Sequence, residues 1–91
     1  MANWKQTLDI TDLMADFEQD EDAESFAKKA SDRITQFVET NQLWADRNNI
    51  TDDLEHIAEG LSYADDTAEV DYLLADLYDL ADNARIWVKT F

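Results

Sequence analysis

The chain contains no proline, and Gly60 is its only glycine. These two residue types most often interrupt helices, because proline lacks an amide hydrogen and glycine loses the most backbone entropy on folding. A chain nearly free of both favours helices joined by polar turns. Its 91 residues leave room for one domain. We therefore expect a single, mainly α-helical domain over residues 1–91, a small bundle of three to four helices.

The first half of the chain contains two helix signals. Thr11 or Asp12 precedes a group of closely spaced apolar residues, which predicts a short first helix. Apolar residues then recur at the helical period over residues 22–44, which predicts one long helix. The pair Asn48 and Asn49 is expected to end that helix, because asparagine favours turns.

The third predicted helix begins at Thr51 or Asp52. Asp52 and Glu55 have the spacing of a capping box, in which the two side chains satisfy free amides of the first turn. Gly60 follows within the same segment. It either ends the helix in a left-handed turn or lies inside the helix at a cost of about 1 kcal/mol.

The last predicted helix begins at residues 65–67, where Asp66 and Glu69 again have capping-box spacing. Beyond this start, apolar residues form a heptad seam over three repeats. The seam predicts the central core helix of the bundle, and pairing with a second copy in a homodimer is a compatible alternative. Its members are Val70, Leu74, Leu77, Ala81, Ala84, Val88 and Phe91.

Both ends of the chain have two interpretations. Residues 4–10 alternate apolar and polar side chains, which is typical of a short strand or an extended arm. Residues 85–91 are rich in β-branched and aromatic side chains, so they either continue the last helix or form a strand. In the second case the two ends would pair as a two-stranded ribbon packed on the helices, with Trp4 close to Trp87.

Acidic residues dominate the charge. The chain has 22 Asp and Glu against 7 Lys and Arg, a net charge of −15. Direct binding to nucleic acid or to an anionic membrane is therefore excluded, because both require a basic surface. The sequence has no cysteine, which excludes disulfides and thiol chemistry. It also has no apolar run long enough to span a membrane and no signal-peptide pattern, so we expect a cytoplasmic protein.

Catalytic and metal-binding patterns are sparse. His56 is the only histidine, with Asp53 and Glu59 three residues to either side. A di-metal site in a helical bundle requires a second Glu-x-x-His pair, which this chain lacks. The alternating acids of residues 18–24 lack the Gly and the Glu that a calcium loop needs. We expect no enzymatic activity, no cofactor and no dedicated metal site, with His56 exposed.

The acidic residues of the last two helical segments are the strongest functional signal. Like charges three or four residues apart destabilise a helix, by roughly a few tenths of a kcal/mol per pair. A sequence selected only for folding would place Lys or Arg at some of these positions. Carboxylates held on rigid helices resemble the phosphates of a nucleic acid, and an exposed tyrosine adds contact area. The predicted partner-binding residues are Asp65, Asp66, Glu69, Asp71, Tyr72, Asp76, Asp79 and Asp82.

The carboxyl-terminal sequence, with LYDLAD at residues 77–82 and RIWVKTF at residues 85–91, resembles the ends of small acidic proteins of phages and mobile elements. The chain is similar in type to DNA-mimic inhibitors of restriction and CRISPR systems. That type is defined by small size, acidity and compactness, so it implies no individual site residue. It implies an inhibitor acting in the cytoplasm of a host cell.

These observations lead to one hypothesis and one alternative. The hypothesis is a non-enzymatic inhibitor that mimics the charge of nucleic acid. It would block the DNA- or RNA-binding groove of a basic host defence protein, such as a nuclease complex. The alternative is an antitoxin, an immunity-type protein or a homodimeric adaptor that binds its partner through an apolar helix face.

Overall fold

The computed structural model describes residues 6–18, 22–84 and 86–89, and it is mainly helical, as predicted. The described residues form five helices, two of them short, and two strands. In chain order the elements are β1 (Gln6–Asp9), α1 (Thr11–Glu18), α2 (Ala23–Thr40), α3 (Gln42–Arg47), α4 (Thr51–Tyr63), α5 (Thr67–Ala84) and β2 (Ile86–Lys89). No helix in these ranges has the length and apolar character needed to cross a bilayer.

The long helix predicted for residues 22–44 is confirmed as far as Thr40 and is wrong only in its last four residues, because the chain breaks at Asn41. The backbone amide and the side-chain amide of Asn41 both donate to the carbonyl of Phe37, each over 3.0 Å. Such side-chain bonds compete with continuation of a helix. After this break the chain forms α3. The centroids of the Trp44 and Phe37 rings then lie 6.1 Å apart in an edge-to-face contact. The sequence period continues through this break and therefore hides it.

The turn before α4 confirms the predicted break at Asn48 and Asn49. Asn49 has a φ of 59°, in the left-handed region that asparagine tolerates better than most residues. The next residue, Ile50, is buried and is the N-cap of α4, with no side-chain cap bond. The capping box predicted at Asp52 is therefore wrong, since burial of Ile50 starts the helix earlier and places Asp52 in its first turn.

The capping predicted for the last helix is confirmed at Asp66. Its carboxylate accepts a 2.8 Å hydrogen bond from the backbone amide of Glu69. Asp22 does the same for α2, accepting from the amide of Ser25 over 2.8 Å. Each bond satisfies one of the free amides that a helix N-terminus leaves, which is typically worth about 1 kcal/mol.

The core lies between α2, α4 and α5. From α2 and α4, the residues Phe26, Ile34, Leu54 and Leu61 are almost fully buried. A single buried polar side chain among the described residues, Ser31 on α2, donates a 2.6 Å hydrogen bond to the Ala58 carbonyl on α4. From α5 the buried residues include four of the predicted seam, namely Val70, Leu74, Leu77 and Ala81. These four pack within the chain's own core, as the core-helix interpretation predicts.

The seam does not continue as a helix beyond Ala84. Val88 lies on strand β2, where it is half-buried, and Phe91 lies outside the described residues. A helical dimer seam over all seven positions is therefore not formed by this chain. The homodimer alternative, in which part of the seam pairs with a second copy, stays a prediction.

Gly60 lies inside α4, where the helix faces the Leu73 side chain of α5. A Cβ atom at this position would lie 2.9 Å from Cδ2 of Leu73. Farther along, Asp53 and His56 of α4 lie beside Asp76 of α5. The two helices therefore run antiparallel, because later residues of α4 lie beside earlier residues of α5. The absent side chain at Gly60 leaves room for the end of the Leu73 side chain.

The two strands form the predicted ribbon, and they pair in parallel, with Leu8 opposite Val88. The backbone amide of Ile10 extends the ladder by donating to the Lys89 carbonyl over 2.9 Å. Leu8, Ile10 and Ile86 are buried, so the ribbon is held by its packing on the helices. The predicted proximity of Trp4 to Trp87 stays a prediction, because Trp4 lies outside the described residues.

Candidate partner-binding surface

All eight residues predicted to bind a partner are exposed. Asp65 and Asp66 lie directly before α5, and the other six lie along its surface. The Tyr72 ring is 69% exposed and Tyr63, at the end of α4, is 77% exposed, whereas Tyr78 is only 38% exposed. Burial raises the pKa of the Tyr78 hydroxyl, as expected for a ring that lies over the rim of the core.

The residues on α5 occupy two sides of the helix. Successive residues advance by about 100° around a helix axis. One side carries Glu69, Tyr72, Asp76 and Asp79, and its Asp76 lines a groove shared with α4; we call it the groove side. The other side is defined by Asp71, Tyr78 and Asp82, and we call it the far side. Asp71 and Asp82 lie about 120–140° around the axis from Asp76.

A groove lies between α4 and α5 on the groove side. It has a volume of about 210 Å³ and is lined by Asp53, His56, Ile57, Asp76 and Leu80. The two carboxylates come from different helices, and the apolar residues form part of the lining. That Asp53 and Asp76 line one groove does not follow from the sequence, because it depends on how the helices pack. The isolated Gly60 was the one sequence signal of a close helix approach.

The carboxylates of α4 and α5 have no basic residue on their own helices. Residues 51–84 contain eleven Asp and Glu and no Lys or Arg. Two cations of α2 are engaged with acids: Lys28 pairs with Glu24 at 3.1 Å, and Arg33 pairs with Asp12 at 3.0 Å. The α4–α5 surface therefore bears negative charge that no Lys or Arg of residues 51–84 offsets, and its side chains project from two helices.

One cluster on this surface has the spacing of cation ligands. Carboxylate oxygens of Asp65, Asp66 and Glu69 all lie within 4.8 Å of one another. All three side chains are exposed, and Asp66 already caps α5 through the Glu69 amide. Capping accounts for the position of Asp66, and water is free to hydrate the other two carboxylates. The cluster is suited at most to a loosely held, hydrated divalent cation.

The fold and this surface define a class: a small, acidic, mainly helical protein with a short parallel ribbon and an uncompensated acidic two-helix face. No protein-family model, curated protein or solved structure matches the chain. The functional argument therefore rests on the residues themselves.

Proposed function

We propose that this protein is a non-enzymatic inhibitor that occupies the nucleic-acid-binding groove of a basic host protein, by mimicking the charge of DNA or RNA. The observation that supports the proposal is the α4–α5 surface, with eleven acidic residues and no basic one over residues 51–84. Fixed carboxylates on antiparallel helices attract a basic groove at long range and pair there with the Lys and Arg that normally contact phosphates.

The electrostatic cost of this surface supports the same proposal. Asp76, Asp79 and Asp82 follow one another at intervals of three residues on α5, where like charges repel. No cation on either helix relieves this repulsion. A surface selected for binding to a basic partner accounts for a charge pattern that folding alone disfavours.

The test is capture of a partner from host extract at low salt, with three forms of the tagged protein. The wild type is compared with Asp76→Lys/Asp79→Lys, which reverses two charges on the groove side. The matched control is Asp32→Lys/Glu39→Lys, which makes the same charge change at exposed positions of α2. We expect the wild type and the control to capture a nucleic-acid-binding protein and the α5 variant to lose it.

Competition then distinguishes the two candidate functions. A charge mimic is displaced by excess DNA or RNA and by about 0.5 M salt, at which the screening length falls to several ångströms. A partner that resists both would contradict the proposal and favour the antitoxin or adaptor alternative. Exposed apolar side chains for such an interface exist at Leu43, 77% exposed, and Trp87, 57% exposed.

A further inference from the structure

We propose that the groove between α4 and α5 selects arginine over lysine in its basic partner. This inference rests on the proposed function in one respect, that the partner is basic. It adds that the guanidinium groups of arginine enter the groove, between the carboxylates of Asp53 and Asp76.

The groove has the features that distinguish the two cations. Carboxylates stand on both helices, and Ile57 and Leu80 form part of the lining of a space of about 210 Å³. A guanidinium is planar and weakly hydrated and forms two parallel hydrogen bonds to one carboxylate, so it tolerates a partly apolar site. A lysine ammonium is compact and strongly hydrated, and it loses more hydration free energy on entering such a site.

An exposed ring stands next to the groove. Tyr72 lies one helical turn from Asp76 on the groove side, and its side chain is 69% exposed. Residues four positions apart on a helix are neighbours, so a cation paired with Asp76 is within reach of this ring. Arginine stacks on aromatic rings more often than lysine does, which adds a second preference in the same direction.

The experiment measures binding of two peptides, octa-arginine and octa-lysine, to the folded protein by calorimetry at one salt concentration. We expect the wild type to bind octa-arginine about fivefold more tightly, the factor that one exposed stacking contact provides. In Asp53→Asn/Asp76→Asn the preference falls to near unity. The control Asp71→Asn/Asp82→Asn removes the same charge from the far side, so both affinities fall while the preference stays.

His56 supplies a local readout when the same peptide titration is followed by NMR. It is the only histidine in the chain and it lines the groove, so its ring protons give one set of resonances that reports on this site. Octa-arginine is expected to shift these resonances to saturation in the wild type and in the far-side control. The shift is expected to be lost in Asp53→Asn/Asp76→Asn.

Each outcome has a defined meaning. Equal affinity for the two peptides in the wild type, or a preference that persists in Asp53→Asn/Asp76→Asn, overturns the arginine-selective groove and leaves charge mimicry standing. Failure of the wild type to capture a nucleic-acid-binding protein from host extract overturns the proposed function and leaves the peptide result intact. Absence of binding to either peptide contradicts both.

Discussion

Arg33 joins three segments of the chain through its guanidinium. Its Nη1 donates to the Asp9 carbonyl over 2.7 Å, and both Nη atoms donate to the Asp12 carboxylate, over 3.1 and 3.0 Å. This arrangement ties β1 and the start of α1 to the middle of α2. Hydrogen bonding to Arg33 lowers the pKa of Asp12 below its ordinary value. The pair is therefore a structural contact between α1 and α2.

We expect Arg33→Lys to lower the free energy of unfolding by about 1 kcal/mol, because an ammonium cannot make the paired bonds or reach the same three acceptors. The control is Lys28→Ala, which breaks the exposed pair with Glu24 and is expected to cost less than about 0.5 kcal/mol. Chemical denaturation of the three proteins measures both values. Equal losses in the two variants would contradict the bridging role of Arg33.

The effect of Arg33→Lys is also expected to depend on pH. Since the folded pKa of Asp12 is lowered, the stability that its ionised form contributes is present above the ordinary carboxyl value of 3.8. It is lost as the pH falls from that value through the lowered one. The difference between the wild type and Arg33→Lys should therefore be constant near neutral pH and shrink below about pH 4. A difference that is independent of pH would rule out this coupling.

At the scale of the elements, the packing of α4 on α5 depends on Gly60. Alanine is favoured over glycine inside a helix by about 1 kcal/mol, but a Cβ here would approach the Leu73 side chain. The conflicting atom is the far end of a flexible side chain, 2.9 Å away. We expect Gly60→Ala to change the free energy of unfolding by less than about 1 kcal/mol, because the two effects oppose each other.

A larger side chain at the same position separates the two effects. Gly60→Val adds an isopropyl group, which has two methyl groups more than the alanine side chain has beyond its Cβ. Because the shift of one leucine cannot accommodate them, we expect this variant to destabilise the protein by about 2 kcal/mol or more. Thermal and chemical unfolding of both variants measure the difference. If Gly60→Val left the free energy of unfolding unchanged, it would contradict the close contact between Gly60 of α4 and Leu73 of α5.

The elements also show how far the sequence could predict the fold. The four helical segments were predictable, because apolar periodicity acts over short stretches. The terminal ribbon could be given only as one of two interpretations, because β-propensity alone did not exclude a longer last helix. The break at Asn41 was not predictable, because Trp44 and Ala45 keep the helical period beyond it. The N-cap of α4 at Ile50 also escaped prediction, since it depends on burial rather than on a capping side chain. Parallel pairing of the strands follows from tertiary packing.

The candidate site, like the fold, could be predicted from the sequence only in part. Exposure of the acidic residues and of Tyr72 could be predicted from helical spacing, because they lie off the apolar seam. Their division into a groove side and a far side follows once the position of α4 is known. The pairing of Asp53 with Asp76 requires the antiparallel approach at Gly60, which periodicity does not encode.

Helix α5 gives a prediction in which stability and binding change in opposite directions. Asp79 lies three residues from both Asp76 and Asp82, so Asp79→Lys converts two repulsive pairs into attractive ones. We expect a gain of about 0.5–1 kcal/mol in the free energy of unfolding, together with weaker capture of the basic partner. The matched control is Ala75→Lys, an exposed α5 position that adds one cation without removing a carboxylate. A destabilised Asp79→Lys would contradict the repulsion argument.

At the scale of the whole molecule, a net charge of −15 on 91 residues opposes the compact state. Four like-charged pairs with helical spacing, Glu55–Glu59, Asp65–Glu69, Asp76–Asp79 and Asp79–Asp82, contribute to this repulsion. Salt screens exposed charges, with a Debye length of about 10 Å at 0.1 M and about 3 Å at 1 M. The same screening weakens the pairing of an exposed carboxylate with a basic partner.

Raising NaCl from about 0.05 to 0.5 M is therefore expected to stabilise the protein by about 1 kcal/mol, or 4–8 °C in Tm for a domain of this size. Differential scanning calorimetry measures the shift, and Asp79→Lys should respond less because two repulsive pairs are already gone. Over the same range of salt the affinity for a basic partner should fall steeply. If added NaCl raises Tm and weakens binding, the charge of this surface favours recognition and disfavours folding. A Tm that is independent of salt would contradict that conclusion.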